Sequence, residues 1–390
     1  MSLPFTSKIQ PFSLFNSDLY RLKSLQDDNF ASMFQIDPNI AIAATMPRPF
    51  YTDSLVFKQL KDVFAGTWQY AGDVEKAEYS NVRPFQLLPE FLNDPLLLTR
   101  DDEGVTRCIS NVCTHRANLL IDEPTKGHEI RCNYHGRRFD LNGKFKSMPG
   151  FEGVENFPCE NDDLPELSLK KFAGLQFTSL APKVEFESVF GDMIKRMSFL
   201  PLEKLKFDED RSQEFKVKAN WALYCDNYLE GFHIPFVHPG LNAELDFGEY
   251  EYELFDHSNL QIGIGKSGDH VFDLPANHPD YGKNIAAYYW WVYPNLMFNF
   301  YPWGLSFNIV NPLKPDLTKV SFRAYVMDES KLDSGAGAGL DTVEAEDEAV
   351  VEQVQRGVQS RLYNRGRYSA TMEKCVHHFH RLVSADLNSS

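Results

Sequence analysis

Two short cysteine–histidine motifs constrain this chain more than any other feature of its sequence. Cys113-x-His115 lies in NVCTHRANLL, and sixteen residues separate it from Cys132-x-x-His135 in CNYHGRRFDL. Each motif places two metal-binding side chains within one tight turn, and a hairpin between the motifs would bring all four to one centre. We therefore predict a small β-rich unit built around a metal site.

The four side chains fit two kinds of metal site. Two thiolates and two imidazoles bind either a structural zinc ion or a Rieske [2Fe–2S] cluster, in which cysteines hold one iron and histidines the other. Zinc sites usually take each half from like residues, whereas each half here mixes a cysteine with a histidine. The spacing favours the cluster, and a zinc-stabilised binding module without catalytic activity is the alternative.

A second motif, NYLEGFHIPFVH at residues 227–238, places a glutamate and two histidines in an apolar stretch. Glu230 and His233 are three residues apart and would share a helix face. His238 would point about 140° away from His233 in a regular helix. Pro235 interrupts the helix and would return His238 to His233. Two neutral imidazoles suit Fe(II), and a carboxylate normally completes such a mononuclear site.

The segment DTVEAEDEAVVEQVQRGVQS offers that carboxylate. Its valines form an apolar stripe at helical spacing, and Asp347 lies within the stripe. The segment's glutamates fall outside the stripe and are expected to face solvent: Glu344, Glu346, Glu348 and Glu352. An unpaired carboxylate that faces the core is costly. We therefore predict that Asp347 binds a cation as the third ligand.

The chain divides into three segments by its pattern of apolar and turn residues. Residues 1–45 are irregular, with a short helical signal at 18–34, and residues 46–182 are predicted to form short strands and two hairpins. Residues 183–390 combine a helical region, an antiparallel meander at about 249–327, and a helical end after the glycine-rich link DSGAGAG. The expected fold class is α+β.

Charge and hydropathy exclude several kinds of partner. The formal net charge is -16 and no lysine- or arginine-rich run occurs, so nucleic acid is not expected as a partner. The uncharged stretch from 284 to 313 contains Pro294 and Pro302, so it is predicted to form strands and not a membrane span. The first residues do not resemble a secretory signal, which leaves a cytoplasmic location as the expectation.

Taken together, the motifs resemble those of the oxygenase α-subunits of Rieske non-haem iron oxygenases. NVCTHRANLL and CNYHGRRFDLNGK are similar to the cluster loops of that family, except that Arg137 replaces an aromatic residue. NWALYCDNYLEGFHIPFVH is similar to its catalytic helix, and EDEAVVEQVQRGVQS to its C-terminal ligand helix. The catalytic-helix sequence is closest to the branch that acts on quaternary ammonium compounds such as choline, glycine betaine and carnitine.

The resemblance implies a domain organisation and two sets of ligands. Residues 46–182 would form a Rieske [2Fe–2S] domain, and residues 183–390 a catalytic domain of helix-grip type, with an antiparallel sheet covered by helices. The first 45 residues would pack on the catalytic domain. The implied cluster ligands are Cys113, His115, Cys132 and His135, and the implied ligands of mononuclear Fe(II) are His233, His238 and Asp347.

The resemblance also implies how electrons reach the iron. Glu230 matches the acidic residue that links a cluster histidine, by position His135, to the iron ligand His233, a contact that the family makes across the subunits of a homotrimer. Asn227 and Trp221 match residues that line or support the iron site. Electrons would come from a separate NAD(P)H-dependent flavin or ferredoxin-type reductase, and dioxygen would be the co-substrate.

The substrate pocket is predicted from an aromatic-rich stretch. Between Tyr288 and Phe307, ten of twenty positions are aromatic. Such residues could form a cage that attracts a quaternary ammonium group by cation–π interaction, or an apolar pocket for an arene. A betaine carboxylate would also need an arginine, lysine or amide donor. The expected function is hydroxylation, with N-demethylation, of a small quaternary ammonium compound; an aromatic ring dioxygenase is the alternative.

Overall fold

The computed structural model describes residues 33–74, 80–244, 250–266 and 270–389. Most of the predicted N-terminal segment, including nearly all of its helical signal, lies outside these residues. The helices are α1 Arg48–Thr52, α2 Ser54–Ala65, α3 Phe186–Arg196, α4 Trp221–Tyr228, α5 Ile234–Val237, α6 Pro239–Glu244, α7 Leu340–Val358 and α8 Lys374–Ser389. Within the described ranges, none of them combines the length and apolar character that crossing a membrane requires.

The strands form a small all-β region followed by one large sheet. In the small region they are β1 Gln69–Asp73, β2 Val82–Leu87, β3 Asp94–Arg100, β4 Thr106–Ser110, β5 Ile130–Arg131, β6 Arg138–Phe139, β7 Phe145–Ser147, β8 Glu166–Leu167, β9 Leu169–Phe172 and β10 Leu175–Thr178. In the large sheet they are β11 Lys206–Val217, β12 Glu251–Leu254, β13 Ser258–Ile264, β14 Ile285–Val292, β15 Leu296–Tyr301, β16 Gly304–Lys314 and β17 Leu317–Val326.

The all-β region contains three small antiparallel sheets, ordered β1-β10-β9, β2-β3-β4-β8 and β5-β6-β7. Both predicted hairpins are present. Gly104 closes the β3–β4 turn with φ 83°, and Gly143 closes the β6–β7 turn with φ 79°, a conformation that a glycine adopts without strain. The four-stranded and β5-β6-β7 sheets share a core that contains Cys113 and Cys132.

The region that was predicted to be catalytic is built on a seven-stranded antiparallel sheet in the order β11-β17-β16-β15-β14-β13-β12. The predicted meander and the helix-covered sheet are therefore confirmed. Strand β16 is buried along nearly its whole length although its polar and apolar residues alternate. The alternation arises because both faces of the sheet are covered, and the polar residues line an internal surface.

Two hydrophobic cores cover the two faces of this sheet. Helices α1, α2, α4, α7 and α8 pack on one face, and helix α3 with strands β9 and β10 packs on the other. Phe64 of α2 lies edge-to-face with Trp221 of α4, with ring centroids 5.0 Å apart. Residues 48–65, which fall inside the predicted 46–182 unit, therefore pack with the catalytic sheet.

The predicted break in the catalytic helix is real, but its position differs from the prediction. Asn220 caps helix α4 by accepting a hydrogen bond from Ala222 N at 3.0 Å, and the helix ends at Tyr228. The chain then turns through residues 229–233, and Pro235 stands in the first turn of α5, where its missing N–H costs nothing. Glu230 and His233 thus lie on a turn and do not share a helix face, and Pro235 begins the next helix.

Candidate functional site

The two cysteine–histidine loops are folded alike. In each loop the cysteine N–H donates to the carbonyl five residues further on, at 2.9 Å for Cys113 and 2.8 Å for Cys132. Each cysteine carbonyl accepts from the N–H four residues on, at 3.0 Å in both loops. That fourth residue has positive φ in each case, 52° at Ala117 and 75° at Gly136. Two matched loops therefore present two matched pairs of metal-binding side chains.

The four predicted cluster ligands are brought together with the thiols inside and the imidazoles outside. Cys113 and Cys132 are free cysteines, each 2% exposed, whereas His135 is exposed. The rings of His115 and His135 lie edge-to-face with centroids 4.8 Å apart. Burial raises the pKa of the Cys113 thiol, and the adjacent Cys132 adds to this effect, so the thiolate form needs a metal nearby.

The spread of these four donors fits a two-iron cluster better than a single ion. Among the described residues, the one group of three or more donor atoms close enough to share an ion is His233, His238 and Asp347. The two cysteine–histidine pairs do not converge in that way. A centre in which two thiolates hold one metal and two imidazoles another is consistent with this arrangement.

His233, His238 and Asp347 form the second candidate metal site. Their ligand atoms all lie within 4.8 Å of one another. His238 Nε2 lies 3.0 Å from Asp347 Oδ1, and His233 Nε2 lies 3.4 Å from the same oxygen. Two imidazoles and one carboxylate on one side of a site leave open positions on the other, as non-haem Fe(II) oxygenases require.

The far nitrogen of each imidazole is held by a glutamate. His233 Nδ1 lies 2.6 Å from Glu230 Oε1, and His238 Nδ1 lies 2.7 Å from Glu346 Oε2. A carboxylate at Nδ1 fixes the tautomer and leaves Nε2 as the metal-binding atom. Glu346 was expected to face solvent, and this expectation is wrong because its carboxylate contacts the imidazole of the buried His238.

The pKa shifts of His233 and Asp347 are those expected at a cation-binding site. Burial lowers the pKa of His233, but hydrogen bonds to Asp347 and Glu230 outweigh it and raise that pKa to about 9. Burial raises the pKa of Asp347, but its hydrogen bonds to the two histidines lower it overall. Contacts that favour protonated imidazoles beside an ionised carboxylate also favour a metal ion, whose binding would displace those protons.

Helix α7 is anchored to the beginning of α4, and this positions Asp347. Gln355 Oε1 accepts a hydrogen bond from Asn220 N at 2.8 Å, and Glu352 Oε1 accepts from Lys218 N at 3.0 Å. The buried face of α7 is centred near Val351, whereas Val354, at the centre of the predicted stripe, is 43% exposed. These polar contacts rotate the helix relative to the prediction based on valines alone.

A cavity of about 90 Å³ adjoins the three donors of this second site. Asn227 lies in its wall, as do Glu230 and Glu344, whereas Trp221 is fully buried in the first core and supports helix α4 from behind. Five tyrosines surround the cavity: Tyr224, Tyr228, Tyr250, Tyr289 and Tyr301. This tyrosine cavity is the space in which a substrate would meet the metal.

The sheet supplies the floor of the tyrosine cavity. Gln261 pairs across the strands with Tyr289, and Tyr289 pairs with Asn299, so three polar side chains form a row at one level. Of the ten aromatic residues predicted as a cage, only Tyr289 and Tyr301 line the cavity within the described part of the chain. Most of the others belong to the two hydrophobic cores, and the position of each residue along its strand determines which face of the sheet it packs on.

Glu344 was expected to face solvent, but it lies in the cavity wall. Its Oε2 accepts a hydrogen bond from the Tyr224 hydroxyl at 2.7 Å. Burial raises the pKa of the Glu344 carboxyl well above its usual range, and the neighbouring Asp347 carboxylate adds to the effect. None of the described residues that line this cavity is a lysine or an arginine.

Known families match both regions of the chain. Residues 68–158 match the Rieske [2Fe-2S] domain, and residues 202–389 match the ring hydroxylating alpha subunit (catalytic domain). The chain is 32% identical to a chloroplastic choline monooxygenase of Arabidopsis thaliana, over 90% of this chain and 86% of that protein. It is 27% identical to the carnitine monooxygenase oxygenase subunit of Escherichia coli K12, over 88% of this chain and 93% of that protein.

Solved structures share the fold. The quaternary ammonium Rieske monooxygenase CntA in complex with L-carnitine superimposes with a TM-score of 0.68 at 24% identity, over 92% of this chain and 98% of that one. Naphthalene 1,2-dioxygenase with indole bound gives a TM-score of 0.65 at 19% identity, over 89% of this chain and 93% of that one. Both pairs have the same arrangement of a Rieske domain beside a helix-covered sheet.

Proposed function

The chain belongs to the Rieske oxygenase family, and we propose that it hydroxylates a small quaternary ammonium compound at a carbon bonded to nitrogen. As a family member it is an oxidoreductase with a [2Fe–2S] cluster and a mononuclear iron, and its electrons come from a separate reductase. Hydroxylation of an N-methyl group consumes dioxygen, two electrons and two protons, and it also forms one molecule of water. The hydroxymethyl product then separates into formaldehyde, the demethylated amine and a proton.

The tyrosine cavity is the observation that supports this proposal. Its five phenol rings offer the faces that attract a cation without N–H groups, each contact contributing about 0.5 to 2 kcal/mol. Similar proteins include choline and carnitine monooxygenases. These observations favour a small cation over an aromatic hydrocarbon.

The proposed metal ligands lie in the two cysteine–histidine loops, at the two ends of helix α5, and on helix α7. Cys113, His115, Cys132 and His135 would hold the cluster, and His233, His238 and Asp347 would hold the iron. When bound, these groups supply single electrons and activate dioxygen. Glu230 and Glu346 hold the two imidazoles with Nε2 towards the metal, and the tyrosines exclude water from the reacting carbon.

Asn227 is proposed to act beside the iron ligands. Its side chain lies in the wall of the tyrosine cavity near Glu230 and Asp347. An amide there can orient dioxygen or a water molecule by hydrogen bonding, and it adds no charge to a site that already holds several carboxylates. This role also follows the resemblance of the DNYLEGFH segment to the catalytic helix of the family.

We also propose a homotrimer in which Glu230 of one subunit meets His135 of the next. Phe232 and Phe236 beside Glu230 are 48% and 80% exposed, and Tyr134 beside His135 is 58% exposed. Exposed aromatic residues beside both ends of an electron path are suited to an interface. The flavin or ferredoxin-type nature of the reductase, the cytoplasmic location and the domain boundaries at 45 and 182 remain predictions.

Substrate-dependent oxygen uptake tests the proposed function. The reconstituted protein is supplied with a surrogate reductase and given choline, glycine betaine, carnitine or naphthalene, and products are identified by mass spectrometry. Oxygen uptake with at least one quaternary ammonium compound, and a hydroxylated or demethylated product, is expected. A dihydrodiol from naphthalene without any reaction of the ammonium compounds would refute the proposal in favour of an aromatic ring dioxygenase.

A further inference from the structure

Glu344 lies in the wall of the tyrosine cavity, where the proposed substrate would bind. It precedes Asp347 by three residues on helix α7, so both carboxyl groups face the same side. Its described hydrogen bond comes from the Tyr224 hydroxyl, and no lysine or arginine is among the described residues of the cavity wall. A carboxylate withdrawn from water is costly unless a positive charge lies nearby. A positively charged substrate would supply that charge.

The tyrosines around Glu344 are held so that their rings form the wall. The Tyr228 hydroxyl donates to Asn299 Oδ1 at 2.7 Å, and the rings of Tyr289 and Tyr301 lie edge-to-face with centroids 6.0 Å apart. A quaternary ammonium group has no N–H to donate, so ring faces and a full negative charge are the groups that can attract it. The cavity offers tyrosine ring faces, and beside them the Glu344 carboxyl, whose pKa burial holds above its usual range and whose charged form a bound cation would favour.

An acidic cleft lies outside the tyrosine cavity and shares Glu344 and Leu340 with it. This cleft has a volume of about 800 Å³, and six of its lining residues are acidic: Asp208, Asp210, Glu329, Asp333, Asp341 and Glu344. Among its described lining residues Arg211 is the one base, and its Nη1 already lies 2.8 Å from Asp333 Oδ1. The field of such a cleft attracts cations and repels carboxylates.

We infer that Glu344 is the counter-ion for the ammonium head of the substrate, and that it selects a cation with a neutral tail over a zwitterion. The preferred class is then a trimethylammonium alcohol such as choline. A betaine would bring its own carboxylate past the acidic cleft towards Glu344 and Asp347, with no described lysine or arginine to receive it. The inference rests on the proposed function and assigns its substrate class to one side chain.

Three probes of similar size test this role, in binding to the anaerobic holoenzyme and in turnover with dioxygen. Choline is a cation, glycine betaine a zwitterion, and 3,3-dimethylbutan-1-ol a neutral isostere of choline. Dissociation constants are measured by calorimetry, and kcat and KM by oxygen uptake with a surrogate reductase. The native protein should bind choline roughly 10-fold or more tighter than either other probe. In Glu344→Gln, choline binding should weaken roughly 10- to 100-fold, the range of a hydrogen bond or ion pair to a charged group.

Substitutions of Glu344 separate the effect of its charge on binding from the effect of its shape. Glu344→Gln should change binding of the neutral isostere less than about 3-fold and raise KM more than it lowers kcat, whereas Glu344→Asp should keep part of the preference for choline. Glu348→Gln, which removes a carboxyl group from the same helix outside the cavity wall, is the matched control and should leave all three affinities unchanged. Iron content is measured for each variant.

Several results would overturn the inference. Tighter binding of glycine betaine than of choline by the native protein would do so without any variant. An equal loss of choline and isostere binding in Glu344→Gln, or a loss of iron, would assign Glu344 to the fold or to the metal. If the native protein oxidises quaternary ammonium compounds and Glu344→Gln keeps the preference, this inference alone fails; if it binds none of them, the proposed function fails as well.

Discussion

Glu230 holds His233 with both of its carboxylate oxygens. Oε1 lies 2.6 Å from the imidazole Nδ1, and Oε2 accepts a hydrogen bond from the backbone N–H of His233 at 3.0 Å. The two contacts fix the ring and the turn that carries it. Each carboxylate oxygen still has a free lone pair, so the group can accept a further hydrogen bond from a neighbouring subunit.

The first prediction concerns Glu230→Gln. An amide keeps the shape of the side chain but loses the charge that couples the two metal centres, so turnover should fall about 10- to 100-fold with cluster and iron retained. The measurement is the rate at which the pre-reduced cluster is reoxidised in a single turnover with substrate and dioxygen. Glu346→Gln, on the other imidazole, should lower iron affinity instead. Unchanged cluster reoxidation in Glu230→Gln would rule out the bridging role.

The second prediction concerns Asp347→Ala. Removal of this carboxylate leaves two imidazoles, whose ligand set is too small to retain Fe(II) firmly, so iron content should fall from about three atoms per chain to about two. The visible spectrum of the cluster should not change, because its ligands lie in a different core. Elemental analysis and absorption spectroscopy check this result. Glu348→Gln is the control, and retention of three iron atoms by Asp347→Ala would exclude Asp347 as a ligand.

The third prediction is that two inactive variants restore each other in mixed trimers. Cys132→Ser should lack the cluster and Asp347→Ala the mononuclear iron, so neither homotrimer should turn over. In a mixed ring, one of the three interfaces joins an intact cluster to an intact iron site, and roughly a third of the activity should return. Differently tagged chains are co-expressed and purified over two affinity steps. No recovery would mean that electrons pass within one chain.

The fourth prediction concerns Arg137, which stands where the family has an aromatic residue. Its guanidinium is 2% exposed, lies 4.9 Å from the centroid of the Phe145 ring and pairs with Asp162 at 2.5 Å. A buried cation beside a cluster stabilises the added electron, so Arg137→Leu should lower the reduction potential by roughly tens of millivolts.

A redox titration followed by electron paramagnetic resonance measures the effect of the Arg137 substitution. Arg138→Leu is the matched control, because that neighbouring arginine is 44% exposed and water screens its charge. The Arg138 variant should keep the native potential. A potential that is unchanged or raised in Arg137→Leu would contradict this role of the arginine.

The fifth prediction concerns His378 on helix α8. Burial lowers its pKa from about 6.5 to about 4, and the nearby Arg381 adds to this effect. Between these values the unfolded chain binds a proton that the folded chain does not, so stability should fall as pH is lowered from 6.5 to 4. The full effect is at most about 3.4 kcal/mol.

Denaturant unfolding of the native protein and of His378→Gln at pH 7 and pH 4.5 checks this pH dependence. The glutamine variant should lose less stability on acidification than the native protein. His128→Gln is the control, because that histidine is 86% exposed and its environment should be alike in both states. Equal acid sensitivity of the native and His378→Gln proteins would contradict the prediction.

The metal-binding side chains were predictable because their geometry is local or periodic. Cys113 and His115 lie in one turn, and Asp347 lies on a helix face that the valines define. Their roles as ligands remain predictions, but the structure brings them together. The position of the helix break was wrong because Pro235 is equally suited to begin a helix as to end one, and the sequence pattern does not distinguish the two.

The glutamates of α7 were misplaced for a different reason. Glu344 lies just beyond one edge of the valine stripe, where a rotation of a few tens of degrees decides between solvent and interior. Glu346 lies beyond the opposite edge, so the same rotation does not bury it, and it is 35% exposed where it contacts His238. The contact of Gln355 with Asn220 sets that rotation, and it depends on a residue 135 positions away. The aromatic cage was only partly foreseen because both faces of the sheet are buried, so alternation could not show which face meets the iron.

One turn of helix α7 carries Glu344 and Asp347, and it therefore fixes a distance. The two residues are three positions apart, so their backbones stand about 4.5 Å apart along the helix axis. If Glu344 holds the ammonium nitrogen and Asp347 holds the metal, the distance of a carbon from the nitrogen determines whether it is oxidised. The length of the tail does not. Regiochemistry would then be constant across a homologous series of ammonium alcohols, while affinity would vary along it.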